Sequence, residues 1–82
     1  MLHAEQIRAA RSLLGWRQGD LADASEVAPA TIYRIEKGSG PVMGYVSTVM
    51  RIQSAFEKAG IQFLDDDSTG GIGVRFGKQK KR

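Results

Sequence analysis

The chain has 82 residues, of which 41% are hydrophobic and 26% charged, a composition typical of one small globular domain. It contains no cysteine and one histidine, His3, which excludes disulfides, thiolate zinc sites and cysteine nucleophiles; we expect His3 to be solvated and no metal or cofactor to bind. No apolar run approaches the roughly 18 residues that span a membrane, and the N-terminus lacks a signal-peptide pattern, so we expect a cytoplasmic protein.

The net charge of +3 is unevenly placed along the chain. Four of the twelve basic residues lie in positions 78–82, and the rest of the chain holds eight basic against nine acidic residues. We therefore predict a single domain over residues 1–77 followed by a basic tail at 78–82. Two interpretations of the tail stay open: non-specific attraction to phosphates, or a solvated terminus.

Hydrophobic spacing predicts three helices in the first half of the chain. Ile7, Ala10 and Leu14 recur at helical intervals, and Gly15 follows them as a residue that ends helices. Pro29 stands where proline is best tolerated, in the first turn of a helix. The predicted helices cover about residues 4–14, 18–24 and 29–37.

The second half of the chain predicts a fourth helix and a β-hairpin. The glycine-rich segment 38–44 is typical of a loop, and the helix after it, at about 45–59, has a predicted buried stripe of Tyr45, Val49, Ile52 and Phe56. Alternating apolar residues then predict strands at about 61–64 and 72–76. Because a lone hairpin is marginally stable, it must pack on the helices or on another subunit.

The segment from Gln18 to Gly38 carries most of the functional information. Its two short helices share one apolar seam, formed by Leu21, Ala22, Val27, Ile32 and Ile35. Such a seam fixes the angle between the helices and leaves the outer face of the second helix free to enter a groove about 12 Å wide.

These residues resemble the Xre family of helix-turn-helix regulators, the lambda-repressor-like and Cro-like group. The resemblance covers about residues 4–64 and is carried mainly by Gln18, Leu21, Ala22, Val27, Thr31, Ile32, Ile35, Glu36 and Gly38. It implies a mostly α fold, a four-helix lambda-repressor-like domain with a short C-terminal β-hairpin, and sequence-specific binding to double-stranded DNA in transcription regulation. The chain departs from the family pattern at Glu26, where glycine is usual, and at Ala28, where Ser or Thr usually caps the helix.

The resemblance also implies roles for individual residues. Arg34 is the predicted base reader, because a guanidinium can bind guanine O6 and N7 together. The predicted DNA-contacting set is Gln18, Arg17, Pro29, Ala30, Thr31, Tyr33, Arg34 and Lys37, with Gln18, Thr31 and Lys37 expected at phosphates. For Arg17 a solvated role is equally open. Arg11 and Glu36 are expected to form a structural ion pair.

One recognition helix touches too few base pairs for useful specificity, so we expect a homodimer on a (pseudo)palindromic operator. Apolar residues for its interface occur in helix four (Met43, Val46, Met50) and in the hairpin (Phe63, Ile72, Val74, Phe76). Both interfaces stay open. The alternative function is a protein-interaction module on the same scaffold, of the antitoxin or anti-activator type. An enzyme is not expected, since Asp65, Asp66 and Asp67 stand in a loop without a partner His or Cys.

Overall fold

The computed structural model describes residues 2–44 and 46–78, and within them the predicted fold class is confirmed. Four helices are followed by an antiparallel hairpin whose strands pair Ile61 with Phe76 at one end and Leu64 with Gly73 at the other. The elements are α1 (Ala4–Leu14), α2 (Gln18–Ser25), α3 (Pro29–Glu36), α4 (Val46–Lys58), β1 (Ile61–Leu64) and β2 (Gly73–Phe76).

Two helix ends in the first half differ from the prediction by one residue. Helix α2 continues through Ser25, because the buried Ser25 hydroxyl donates a hydrogen bond to the Leu21 carbonyl 2.6 Å away and so stays within the helix. Helix α3 ends at Glu36, and Lys37 is its C-terminal cap rather than its last residue.

The ends of the later elements also need correction. Helix α4 ends at Lys58, since the Ala59 amide is shared between the carbonyls of Ala55 and Phe56 and closes the helix in a tighter turn. Strand β2 begins at Gly73, where pairing with Leu64 stops, and Ile72 lies outside the ladder. The predicted start of helix four, Tyr45, and four residues of the predicted basic tail (79–82) lie outside the described residues.

The core is built from all four helices. Its largest fully buried side chains are Phe56, Ile7, Leu21, Ile32 and Ile52. Burying each side chain of this size contributes about 1.5–3 kcal/mol. Trp16 stacks on Phe56 with ring centroids 5.6 Å apart, and Phe63 of the hairpin meets the Phe56 ring edge-on at 5.9 Å. The hairpin therefore completes the core that the helices form.

The hairpin packs on the helices of its own chain, and Gln6 of α1 fastens it. The Gln6 side chain, which is 3% exposed, donates from Nε2 to the carbonyls of Leu64 (3.1 Å) and Gly73 (3.0 Å). Its Oε1 accepts the backbone N–H of His3 at 2.9 Å. The expectation of a solvated His3 is wrong: the residue is half-buried at the start of α1, and its backbone forms a bridge to Pro41.

The loop between α3 and α4 is attached to the start of α1. The Ala4 amide donates to the Gly40 carbonyl at 3.0 Å, and the Val42 amide to the Leu2 carbonyl at 2.9 Å. The Gly40 amide donates to Glu5 Oε1 at 3.0 Å. Hydrogen bonds from the backbone N–H groups of Glu5 itself and of Gly40 lower the pKa of the Glu5 carboxyl.

The acidic segment after β1 forms a turn. Asp67 Oδ1 accepts hydrogen bonds from the Thr69 hydroxyl (2.7 Å), the Thr69 amide (2.8 Å) and the Gly70 amide (3.1 Å). These bonds, the one from the Thr69 hydroxyl first, lower the pKa of the Asp67 carboxyl. The carboxylate of Asp67 thus shapes the end of the hairpin, as is usual for aspartate in turns.

Candidate nucleic-acid interface

The seam predicted between α2 and α3 is present. All five of its residues, Leu21, Ala22, Val27, Ile32 and Ile35, are buried, two of them completely (Leu21 and Ile32). Because Ile32 and Ile35 point into the seam, the residues between them on α3 face outward. The seam thereby decides which side chains of α3 are available to a ligand.

The turn between the two helices contains a left-handed residue, Glu26, at the position where the family pattern usually has glycine. Glu26 adopts a left-handed conformation (φ 58°, ψ 37°), the only positive φ among the described residues other than glycines. This geometry costs a side-chain-bearing residue about 1 kcal/mol. Ala28 caps α3 without a side-chain hydrogen bond, and Pro29 occupies the first turn. The start of α3 is therefore held by the turn and the seam rather than by a capping side chain.

The outward face of α3 brings together most of the predicted contact residues. Those on its exposed side are Pro29, Ala30, Tyr33, Arg34 and Lys37, and Thr31 is half-buried beside them. The ammonium of Lys37 lies 5.9 Å from the centroid of the Tyr33 ring, within cation–π range. Arg34 Nη2 lies 3.5 Å from the Thr31 hydroxyl oxygen, a distance that gives a weak hydrogen bond at most.

The two predicted contact residues at the start of α2 differ in exposure. Arg17 is exposed, and its backbone N–H donates to the Asp20 carboxylate at 2.9 Å, which closes the first turn of the helix. Gln18 is half-buried, and its Nε2 donates to Glu36 Oε1 at 3.2 Å. The side chain expected at a phosphate is thus part of a link between α2 and α3.

Glu36 is the centre of that link. Its carboxylate, 3% exposed, accepts two bonds from Arg11: from Nε to Oε2 at 2.7 Å and from Nη2 to Oε1 at 2.8 Å. Arg11 also donates from Nη1 to the Trp16 carbonyl at 3.0 Å. The end of α3 is therefore joined to α1 by a bidentate pair and to α2 through Gln18. Among the described residues, every buried polar side-chain atom has a partner.

Arg8 has a role in this region that the sequence did not predict. Arg8, one turn before Arg11 on α1, donates from Nη1 to the backbone carbonyls of Glu36 and Gly38, the latter at 2.9 Å. The signal available in the sequence was its spacing, since residues three apart share one face of a helix. Nothing in the sequence alone indicated that this face meets the end of α3.

An exposed apolar surface adjoins the loop after α3. It is lined by the buried Leu2 and by Val42, Met43, Gly44, Val46, Val49, Met50 and Gln53, and we call it the α4 apolar face. Met43, Val46 and Met50 are 72%, 71% and 62% exposed. Of the four apolar hairpin residues predicted for the interface, by contrast, Phe76 is exposed and Phe63, Ile72 and Val74 are half-buried.

Comparison with known proteins agrees with this geometry. A family model described as helix-turn-helix matches residues 7–42, which include most of α1, all of α2 and α3, and most of the loop after α3. No curated protein and no solved structure matches the chain. The predicted resemblance to the Xre-type helix-turn-helix regulators is confirmed over these residues, which are similar to a helix-turn-helix family.

The matched family consists of DNA-binding domains rather than enzymes. None of the helices in the described residues is long and apolar enough to cross a membrane. In the same ranges, 2–44 and 46–78, no three His, Asp or Glu side chains are grouped so that they could hold a metal ion.

Proposed function

We propose that the protein is a transcriptional regulator that binds a specific double-stranded DNA operator as a homodimer, with α3 in the major groove. The observation that carries the proposal is the two-sided character of α3. Ile32 and Ile35 are buried in the seam, while Tyr33, Arg34 and Lys37 are exposed on the other side. An α-helix with its side chains is about 10–12 Å in diameter, which suits a groove about 12 Å wide.

Arg34 is the base reader in this proposal. Its guanidinium is exposed near the middle of the outward face, and a bidentate pair with guanine contributes roughly 1–3 kcal/mol of discrimination. Pro29 and Ala30 at the start of α3 offer apolar contacts, such as to a thymine methyl group. Tyr33, which is exposed on the same side of α3, also contacts the DNA in this proposal.

Phosphate contacts come from the residues around this face. Lys37 is exposed at the C-terminal end of α3, and half-buried Thr31 lies within the helix beside the exposed residues. Arg17 and the amides beside Gln18 lie at the start of α2, where the positive end of a helix dipole favours an anion. Such contacts fix the position of the protein on DNA without reading its sequence.

The homodimer forms through the α4 apolar face. In a two-fold dimer, the same surface of both subunits forms the contact. A charged surface would therefore face its own charge, and an uncharged surface avoids this repulsion. Among the described residues, none that lines the α4 apolar face carries a charge, and three of its side chains are more than 60% exposed. A two-fold dimer predicts a (pseudo)palindromic operator, and binding to such DNA implies a cytoplasmic location.

Selection from a random library of double-stranded DNA tests this function. We expect enrichment of a two-fold motif whose half-sites are about one helical turn (roughly 10 base pairs) apart. Enrichment of a single half-site would contradict the dimer. No enrichment at all would contradict operator binding and would favour an antitoxin or anti-activator that uses the scaffold to bind a protein.

A further inference from the structure

The last turn of α3 is held by a side chain from another helix. The C-terminal cap of α1 is Gly15 and that of α2 is Glu26, both left-handed residues whose amides bond back to helix carbonyls. Helix α3 ends differently: Lys37 keeps a right-handed conformation (φ −74°, ψ −10°), and Gly38 does not adopt a positive φ. The left-handed cap that closes the other two helices is therefore absent from the end of α3.

Arg8 supplies the bonds at that end. Its guanidinium donates to the carbonyl of Glu36, the last residue of α3, and to that of Gly38 at 2.9 Å. The final carbonyls of a helix lack partners within the helix, and a positive charge there also interacts favourably with the helix dipole. Arg8 therefore acts as a cap donated by α1.

This cap acts on the part of α3 that carries two of the proposed DNA contacts. Arg34 lies two residues before Glu36, and Lys37 lies directly after it. At eight residues, α3 is too short to be stable alone, so its orientation depends on what holds its ends. The N-terminal end of α3 has no capping side chain. The hydrogen bonds from other helices to the C-terminal end are therefore the main polar interactions that hold α3.

We propose that Arg8 is a positioning residue for operator recognition: by capping α3 from α1, it sets where Arg34 and Lys37 lie in the groove. This proposal rests on the proposed DNA-binding function. In the present proposal, Arg8 does not itself contact the DNA. Its positive charge is directed at backbone carbonyls, so its loss changes the fit of α3 rather than the number of phosphates neutralised.

The test compares Arg8→Met with Arg51→Met in the full chain. Both variants remove one positive charge, and Arg51 Nη1 also approaches a backbone carbonyl at a helix end, that of Glu26 after α2 at 3.4 Å. Binding to the selected operator and to random-sequence DNA is measured across a salt series, at a temperature where circular dichroism shows both variants folded. Exchange of the Lys37 amide, which donates to the Tyr33 carbonyl, reports on the last turn of α3.

We expect Arg8→Met to weaken operator binding by about tenfold or more, the order of one hydrogen bond to a charged group, with an unchanged salt slope. Its Lys37 amide should exchange faster than in Arg51→Met, and Arg8→Lys should restore part of the affinity. Unchanged operator affinity in the folded variant would overturn the proposal. So would a salt slope reduced by about 1 on both DNAs, which marks a phosphate contact.

The outcome also separates this proposal from the function on which it rests. If the wild-type protein prefers no sequence, operator binding fails and the positioning role falls with it. If the wild type prefers the operator and Arg8→Met binds it equally well, only the positioning role is wrong.

Discussion

At the scale of single residues, Glu36 joins three helices. Its carboxylate is paired with Arg11 of α1 and Gln18 of α2, and its backbone carbonyl accepts a bond from Arg8. A buried carboxylate is tolerated only when such partners replace water. The sequence predicted Arg11 and Glu36 as a pair through the family resemblance. It did not predict Gln18 or Arg8 as further partners, because their convergence depends on the angles at which the helices pack.

Replacing Glu36 by Gln should destabilise the fold strongly. The change removes the negative charge and points an amide at Arg11, so a partly buried guanidinium loses its counter-charge. We expect a loss of about 3 kcal/mol in the free energy of unfolding, measured with urea. The control is Glu57→Gln, which removes the same charge from the exposed side of α4. Equal midpoints for the two variants would contradict the role of Glu36.

The lowered pKa of the Glu5 carboxyl predicts that part of the protein's folding stability is lost in acid. Its pKa is lowered in the folded protein by hydrogen bonds from its own backbone N–H and from that of Gly40. A lowered folded-state pKa gives stability that is present above the unfolded pKa, ordinarily 4.5, and is lost as the pH falls through the folded value.

Glu5→Gln should therefore lose less stability on acidification than the wild type. Urea unfolding of the two proteins from about pH 6 to about pH 3 measures the difference, which we expect to narrow as the pH falls below 4.5. Glu57→Gln serves again as the control for removal of one negative charge. A gap between wild type and Glu5→Gln that stays constant over this range would contradict the assignment.

At the scale of elements, the turn between α2 and α3 shows how far local sequence rules reach. The sequence departs from the family pattern at Glu26 and Ala28; in the structure Glu26 is left-handed and α3 begins without a side-chain cap. Helix ends were less predictable. Ser25 extends α2 through a side-chain bond to Leu21, and Arg8 acts at the end of α3 from a distant position in the chain.

Glu26→Gly should stabilise the protein. Glycine adopts a positive φ without the steric cost that glutamate bears, although it loses more conformational freedom on folding. We expect a gain of about 0.5–1 kcal/mol in the free energy of unfolding. Asp23→Gly, at an exposed position inside α2, should have the opposite sign and cost about 0.3 kcal/mol, the difference between the helix propensities of the two residues. A destabilised Glu26→Gly would show that the side chain of Glu26 contributes more than its backbone strain costs.

At the scale of the whole molecule, the distribution of apolar surface distinguishes α4 from the hairpin. The sequence predicted the hairpin, but left open whether the hairpin or α4 carries the subunit contact, since both contain unassigned apolar residues. Packing separates them. Phe63 meets the ring of Phe56 in the core, whereas Met43, Val46 and Met50 remain exposed on the α4 apolar face. Such a difference follows from tertiary packing, which periodicity does not reveal.

Met50→Lys should weaken the proposed homodimer. A two-fold contact would place two new charges near each other in an apolar interface, and we expect the dissociation constant to rise at least about tenfold in sedimentation equilibrium. Phe76→Lys, on the hairpin, is the matched control and should change it about twofold or less. The reverse order would move the interface to the hairpin.

The most direct test of the central claim compares Arg34→Ala with Arg75→Ala on the selected operator. Both remove one exposed arginine, and Arg75 lies on β2, where it donates to Gln62 at 2.8 Å. We expect Arg34→Ala to lose about 1–3 kcal/mol of operator binding and to stop distinguishing the operator from one with its contacted guanine replaced. Arg75→Ala should keep that preference. Equal losses for both variants on every DNA sequence would contradict recognition through α3.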